Sequence, residues 1–156
     1  MTKIVGVFES RERAREAIEA LQEEGFSEED LSIVARQDQG QDGGDMTEDI
    51  TQGAAWGGGL GALGGILAGA GAIAIPGIGP ILAAGPLAAG LTGAVAGGIA
   101  GGLIDLGIPE EAGQQFEEDV KQGRLLAIVE TDDDEQVGRV QSLLEEYGAD
   151  EVQSFR

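Results

Sequence analysis

Neither cysteine nor histidine occurs in the 156 residues. That removes disulfides, thiol nucleophiles and thiolate or imidazole metal ligands, together with the commonest general base. The reactive groups that remain are carboxylates. Asp38, Asp42, Asp45 and Asp49 are spaced loosely like a calcium loop. An EF-hand needs ligands at positions 1, 3 and 5 and a closing glutamate. Gly40 and Asp49 break that pattern, so the segment reads as a solvated acidic loop. Gly59, Gly61 and Gly64 satisfy G-x-G-x-x-G, but they follow no strand pattern and no lysine accompanies them. A phosphate cradle needs both the strand and the helix behind its glycines, so this match reflects glycine density alone. With no nucleophile, metal ligand or phosphate cradle beside the carboxylates, the expectation is a non-enzyme with no catalytic residues, no metal and no cofactor.

The charge balance narrows the partners. There are 29 acidic and 9 basic residues, a net charge of -20, and only Lys3 and Lys121 are lysines. Nucleic-acid binding depends on Lys and Arg displacing counterions from phosphates, so no nucleic-acid partner is expected. Docking on anionic headgroups is disfavoured for the same reason. The first apolar run, Ile4–Phe8, is far shorter than a secretory h-region, so the expected location is the cytoplasm. An acidic, lysine-poor surface also suits a salt-rich cytoplasm, where screening suppresses self-repulsion. Thermal stability is therefore expected to rise by roughly 5 °C between millimolar and molar potassium chloride. A melting temperature that stays flat or falls with salt would remove the halophilic reading.

The most regular spacing in the chain belongs to residues with no reactive group. Gly53, Gly57, Gly61, Gly65 and Gly69 recur every four residues, and Gly85, Ala89, Gly93, Gly97 and Gly101 do so again. On a helix, positions i and i+4 share one face, so each row makes a smooth groove open to another backbone. Between the rows lie Pro76, Gly77, Gly79, Pro80 and then Pro86, which read as a turn. The segment 50–107 thus predicts a glycine-zipper helical hairpin. Glycine costs about 1 kcal/mol per helical position relative to alanine, so such arms need packing or a low-dielectric surrounding. Small-xxx-small rows serve helix association in membranes, and arms of about 20 residues are long enough to cross a bilayer. Against that, no Lys or Arg anchors the ends, which are flanked instead by Asp45, Glu48, Asp49 and Asp105.

The elements around the hairpin repeat. Residues 1–36 read as strand (Lys3–Phe8), helix (Ser10 as N-cap; Ala14, Ala17, Ile18 and Leu21 inward; Gly25 closing) and strand (Leu31, Ile33, Ala35). Residues 124–156 repeat this with a strand at Leu125–Val129 and a helix capped by Thr131, with Asp134 completing a capping box. Val137, Val140, Leu144 and Tyr147 make the helix's stripe, Gly148 ends it, and a strand runs from Val152 to Phe155. Two tandem βαβ units predict an α+β, ferredoxin-like split βαβ domain whose second and third strands are neighbours. Residues 37–49 read as an acidic, glycine-rich linker. Residues 109–122 read as an extra amphipathic helix, with Pro109 at its first turn and Ala112, Phe116 and Val120 on one face.

Several stretches together resemble the bacterial general stress protein family (17M type, the heat-induced YflT-like domain). They are Val5–Ser10 (VGVFES), Leu21–Phe26 (LQEEGF), Ala74–Ala89 (AIPGIGPILAAGPLAA) and Gly107–Ala112 (GIPEEA), and they span nearly the whole chain. The resemblance implies stress induction, a cytoplasmic or membrane-associated protein, and no catalytic residues. The leading expectation is a non-enzymatic stress-response protein whose hairpin drives homo-oligomerisation at or in a lipid bilayer. The alternatives are a soluble closed oligomer with the hairpins in a shared apolar core, and a small-ligand sensor using the sheet.

Overall fold

The computed structural model describes residues 1–27, 29–36, 72–75, 79–84 and 98–156. The element order is β1 (Thr2–Phe8), α1 (Arg11–Glu23), β2 (Leu31–Arg36), β3 (Ala72–Ile75), β4 (Gly79–Ala84), α2 (Gly98–Asp105), α3 (Glu110–Lys121), β5 (Leu125–Thr131), α4 (Asp134–Glu146) and β6 (Glu151–Phe155). The chain is α+β, and its strands form one sheet in the order β3-β4-β2-β5-β1-β6, every neighbouring pair antiparallel. The two sequence repeats meet at the centre. β5 lies between β2 and β1, with Leu31 opposite Val129 and Phe8 opposite Leu125.

Local signals account for most of the boundaries. Gly25 and Gly148 end α1 and α4 at φ of 102° and 94°, where a side chain would be strained. Ser10 occupies the N-cap of α1, although its hydroxyl makes no capping bond. At α4 the expected cap is displaced by two residues. Asp133 is the N-cap and its Oδ1 accepts from the Glu135 N–H at 2.9 Å, while Thr131 ends β5 and its hydroxyl accepts from the Asp133 N–H at 3.2 Å.

Alternating residues of the strands face two different helix pairs. Ile4, Phe8, Leu31, Ile33, Ala127 and Val129 pack under α1 and α4, against Ile18, Leu21, Val140 and Leu144. Val5, Val7, Val34, Leu126 and Ile128, joined by Ile81 and Ala83 of β4, pack under α2 and α3, against Ile99, Leu103, Phe116 and Val120. Antiparallel sheets often leave one face to water. Here both faces are covered, and the second cover comes from the long insertion between β2 and β5. A Cβ on Gly6 would sit 3.2 Å from Leu144 Cδ1, so glycine at the middle of β1 lets α4 lie close to the sheet.

The insertion departs from the expected helical hairpin. Residues 72–75 and 79–84 are strands rather than parts of helical arms, and Ile75 pairs with Gly79 across the connection. Gly79 and Pro80 therefore belong to β4 and not to a turn between helices. Two causes favour strands. The Ala-Ile alternation of Ala72–Ile75 suits a pleated surface, and the edge of β2 offers backbone partners to β4 from Ile81 to Ala84. Pro80 precedes the register with β2 and stands opposite Ala74 of β3. Pro76, Gly77 and Pro86, the acidic segment 37–49, and the ridge residues Gly53, Gly57, Gly61, Gly65, Gly69, Gly85, Ala89, Gly93 and Gly97 lie outside the described residues.

Candidate functional site

Of the ridge residues only Gly101 is described, within α2, so the site that can be built is the seat of α2 on the sheet and on α3. α2 spans eight residues (GIAGGLID), three of them glycine. Such a helix has little intrinsic stability, because each internal glycine costs about 1 kcal/mol and two turns barely repay nucleation. Its stability comes from the seat. Ile99 and Leu103 are fully buried against Phe116, Val120 and the sheet face of Val5, Val34 and Leu126. Gly102, next to Leu103, is buried as well.

α3 supplies two fittings for α2. The first is steric: a Cβ on Gly113 would lie 3.3 Å from the Ala100 carbonyl oxygen and 3.8 Å from Ala100 Cβ. The helices thus touch through small residues at backbone range. The second is electrostatic. The Ala100 backbone N–H donates to Glu117 Oε2 at 2.8 Å, so α2 is capped by a carboxylate from another helix. Lys121 Nζ lies 3.5 Å from Glu117 Oε1 and holds the carboxylate from behind. Gly98, at φ 65°, brings the chain into the helix beside that carboxylate; a Cβ there would approach Glu117 Oε2 to 3.0 Å. Glu117→Ala is expected to cost about 1 kcal/mol in urea unfolding, the loss of one helix cap, and Glu117→Gln, which keeps an acceptor, clearly less. Equal losses for the two variants would mean that the cap contributes nothing.

A polar cluster secures the C-terminal end of α3. Arg36 Nη1 donates to the Lys121 carbonyl at 2.8 Å, and Arg11 Nη2 to the Arg36 carbonyl at 3.3 Å. Asp119 is buried; its Oδ1 accepts from Arg124 Nη1 at 2.8 Å, while Oδ2 has no hydrogen-bond partner among the described residues. Arg124 Nη2 also lies 3.8 Å from Glu9. Four basic residues of an acidic chain thus converge where β2, α3 and β5 meet.

Sequence reasoning passed over Gly113, Glu117, Asp119 and Arg124. The i, i+4 spacing of Glu117 and Lys121 was a visible signal for a helix pair. Nothing in the spacing shows that Glu117 reaches Ala100. Among the described residues no group of three acidic side chains could hold a metal ion, and no helix is long and apolar enough to cross a membrane.

The comparison with known families bears on the strands and helix that support this seat. Residues 3–73 match the family model of the heat induced stress protein YflT domain. The YflT match covers β1, α1 and β2, runs through the segment between β2 and β3, and ends at Ile73 within β3. The match covers less than half of the chain, and over that stretch the chain is similar to heat-induced stress proteins. No curated protein and no solved structure matches the chain.

Proposed function

We propose that this protein is a non-enzymatic stress-response protein whose uncharged insertion drives self-association, with the glycine rows packed in an apolar core shared between copies. The observation that carries the reading is the Ala100–Gly113 approach. There the last part of the insertion already packs through small residues at backbone range. The rows from Gly53 to Gly69 and from Gly85 to Gly97 repeat the same chemistry on a larger scale. The order β2-β5-β1-β6 supports the ferredoxin-like description of the domain.

Chain length argues for a shared protein core over a bilayer. β3 and β4 belong to the same sheet as β2, so the chain lies on the domain at Ala72–Ile75 and again at Gly79–Ala84. Residues 37–71 would have to cross and come back, which takes about 40 apolar residues plus a turn; only residues 50–71 of that stretch are free of charge. Residues 85–97 are too few for even one crossing, at 1.5 Å per helical residue against a core of about 30 Å. The sensor reading fares worse, because helices cover both faces of the sheet.

The test is particle mass. Gly61→Leu and Gly97→Leu add volume where a partner backbone would sit and are expected to break the assembly by overpacking. Ala62→Leu, off the row by about 100° around a helix from Gly61, is expected to disturb it less. Native mass spectrometry of the three variants beside the parent decides. Unchanged oligomers in both glycine variants would show that the rows do not mediate association.

A further inference from the structure

We propose that two copies of this chain join edge to edge through β6, antiparallel about a two-fold axis at Gln153, with Asp150 of each copy opposite the partner's Arg156. The pairing does not rest on the glycine rows, because β6 closes the end of the sheet away from β3 and β4, through which the insertion joins. β6 is an edge strand. It pairs with β1 along one side, and among the described residues no strand lies along the other. Alternate N–H and C=O groups of its backbone therefore face away from the sheet, the arrangement that accepts a further strand. Edges are commonly guarded by lysine or proline, and Glu151–Phe155 contains neither. Both flanks of the edge also hold apolar side chains that the chain only half covers. Phe155 packs on the core under α3, edge-on to Phe116, and Val152 on the core under α1 and α4, and both stay partly exposed.

Charge selects a second copy as the occupant and fixes the register. At a net charge of -20, copies repel wherever acidic surfaces meet. The run Glu151–Arg156 is neutral, with one glutamate and one arginine. A strand that pairs with its own copy about a two-fold axis must place one residue opposite itself. With Gln153 there, the whole run from Asp150 to Arg156 is paired. Val152 then stands opposite the partner's Ser154, and Asp150 opposite the partner's Arg156, so opposite charges meet at both ends of the ladder. Moving the axis to Val152 or Ser154 shortens the paired run and separates Asp150 from the partner's Arg156. Glu151 keeps its charge toward α3, where Gln115 Nε2 donates to it at 3.0 Å. The opposite end of the sheet, β3, is shorter and has no charge that could set a register.

The absence of cysteine makes the test direct. Directly opposite residues of an antiparallel pair have Cα atoms about 4.5–5.5 Å apart, a separation that a disulfide spans. Full-length Gln153→Cys is therefore expected to give disulfide-linked dimers under mild oxidation, well above the level from Glu12→Cys on the exposed side of α1, which reports random collision. Val152→Cys and Ser154→Cys are expected to link chiefly when mixed, because each stands about 8 Å from its own copy in this register. Gln153→Cys dimers no more abundant than those of Glu12→Cys overturn the proposal and leave the edge to a different partner. Val152→Cys linking to itself as readily as to Ser154→Cys overturns the axis at Gln153. Neither result touches the glycine rows, which are judged by the particle mass of Gly61→Leu and Gly97→Leu.

The end charges give a second readout. In the Gln153→Cys background at low salt, Arg156→Glu sets like charges opposite each other twice and is expected to lower the dimer yield about tenfold. Adding Asp150→Arg restores opposite charges and is expected to restore the yield. Both variants lose the pair of Arg156 with Asp134 within the chain, so their difference reports only the contact between copies. Equal yields from the two would overturn the register.

Discussion

Replacing residues 37–122 by a short glycine-serine loop is expected to yield a chain that does not persist as a folded monomer. The tandem βαβ pattern suggests that residues 1–36 and 124–156 form a self-sufficient domain, and their strands do pair, β2 with β5 and β5 with β1. Yet the replacement removes α2 and α3 and bares Val5, Val7, Val34, Leu126 and Ile128 together. At about 2 kcal/mol for each side chain returned to water, the loss is about 10 kcal/mol, comparable with the whole stability of an ordinary domain. The expected signs are strong binding of a hydrophobic dye, loss of a cooperative melt and aggregation on gel filtration. A matched control replaces only residues 37–71. It keeps β3, β4, α2 and α3 and is expected to melt cooperatively. A sharp two-state melt from a monomer lacking residues 37–122 would show that the second helix pair is dispensable, and with it the two-sided account of the core.

Phe116→Ala is the point substitution with the largest expected effect. The ring is fully buried at the junction of α2, α3 and the sheet, and it meets Phe155 of β6 edge-on with centroids 6.1 Å apart. It thus ties the insertion to the last strand of the chain. Truncation leaves a cavity that the sheet, already packed by α1 and α4 on its other face, cannot collapse to fill. The cost is expected to be about 3–5 kcal/mol by urea unfolding. Phe155→Ala, at a partly exposed position, serves as the comparison and is expected to cost less than half as much. A midpoint for Phe116→Ala within error of the parent would mean that α3 is not held by this ring.

Much of the framework was legible in the residues because its causes are local. Gly25 and Gly148 mark helix ends because only glycine takes positive φ without strain. Ala14, Ala17, Ile18 and Leu21 mark one face because a helix repeats every 3.6 residues. The extra helix at residues 109–122 followed from Pro109 and the spacing of Ala112, Phe116 and Val120; α3 runs from Glu110 to Lys121.

The sequence also held a signal that a local reading passes over. Ile4–Phe8 and Leu125–Val129 are unbroken apolar runs, which a sheet packed on one face does not need. They are unbroken because each strand supplies two cores. Which elements form the second core could not be read from the runs, since periodicity identifies a buried face but not its partner. Placing α2 and α3 there required the tertiary structure, and so did assigning Ala72–Ile75 and Gly79–Ala84 to the sheet. Their glycine and proline spacing suits a helical turn as well as a strand hairpin, and an available edge on β2 decided between them. The α2 seat is the clearest case. Glu117 and Ala100 are 17 residues apart, and no spacing rule joins them. They meet because the hinge at Leu106–Pro109 folds α2 back along α3, and glycine at position 113 leaves room for the two backbones to touch.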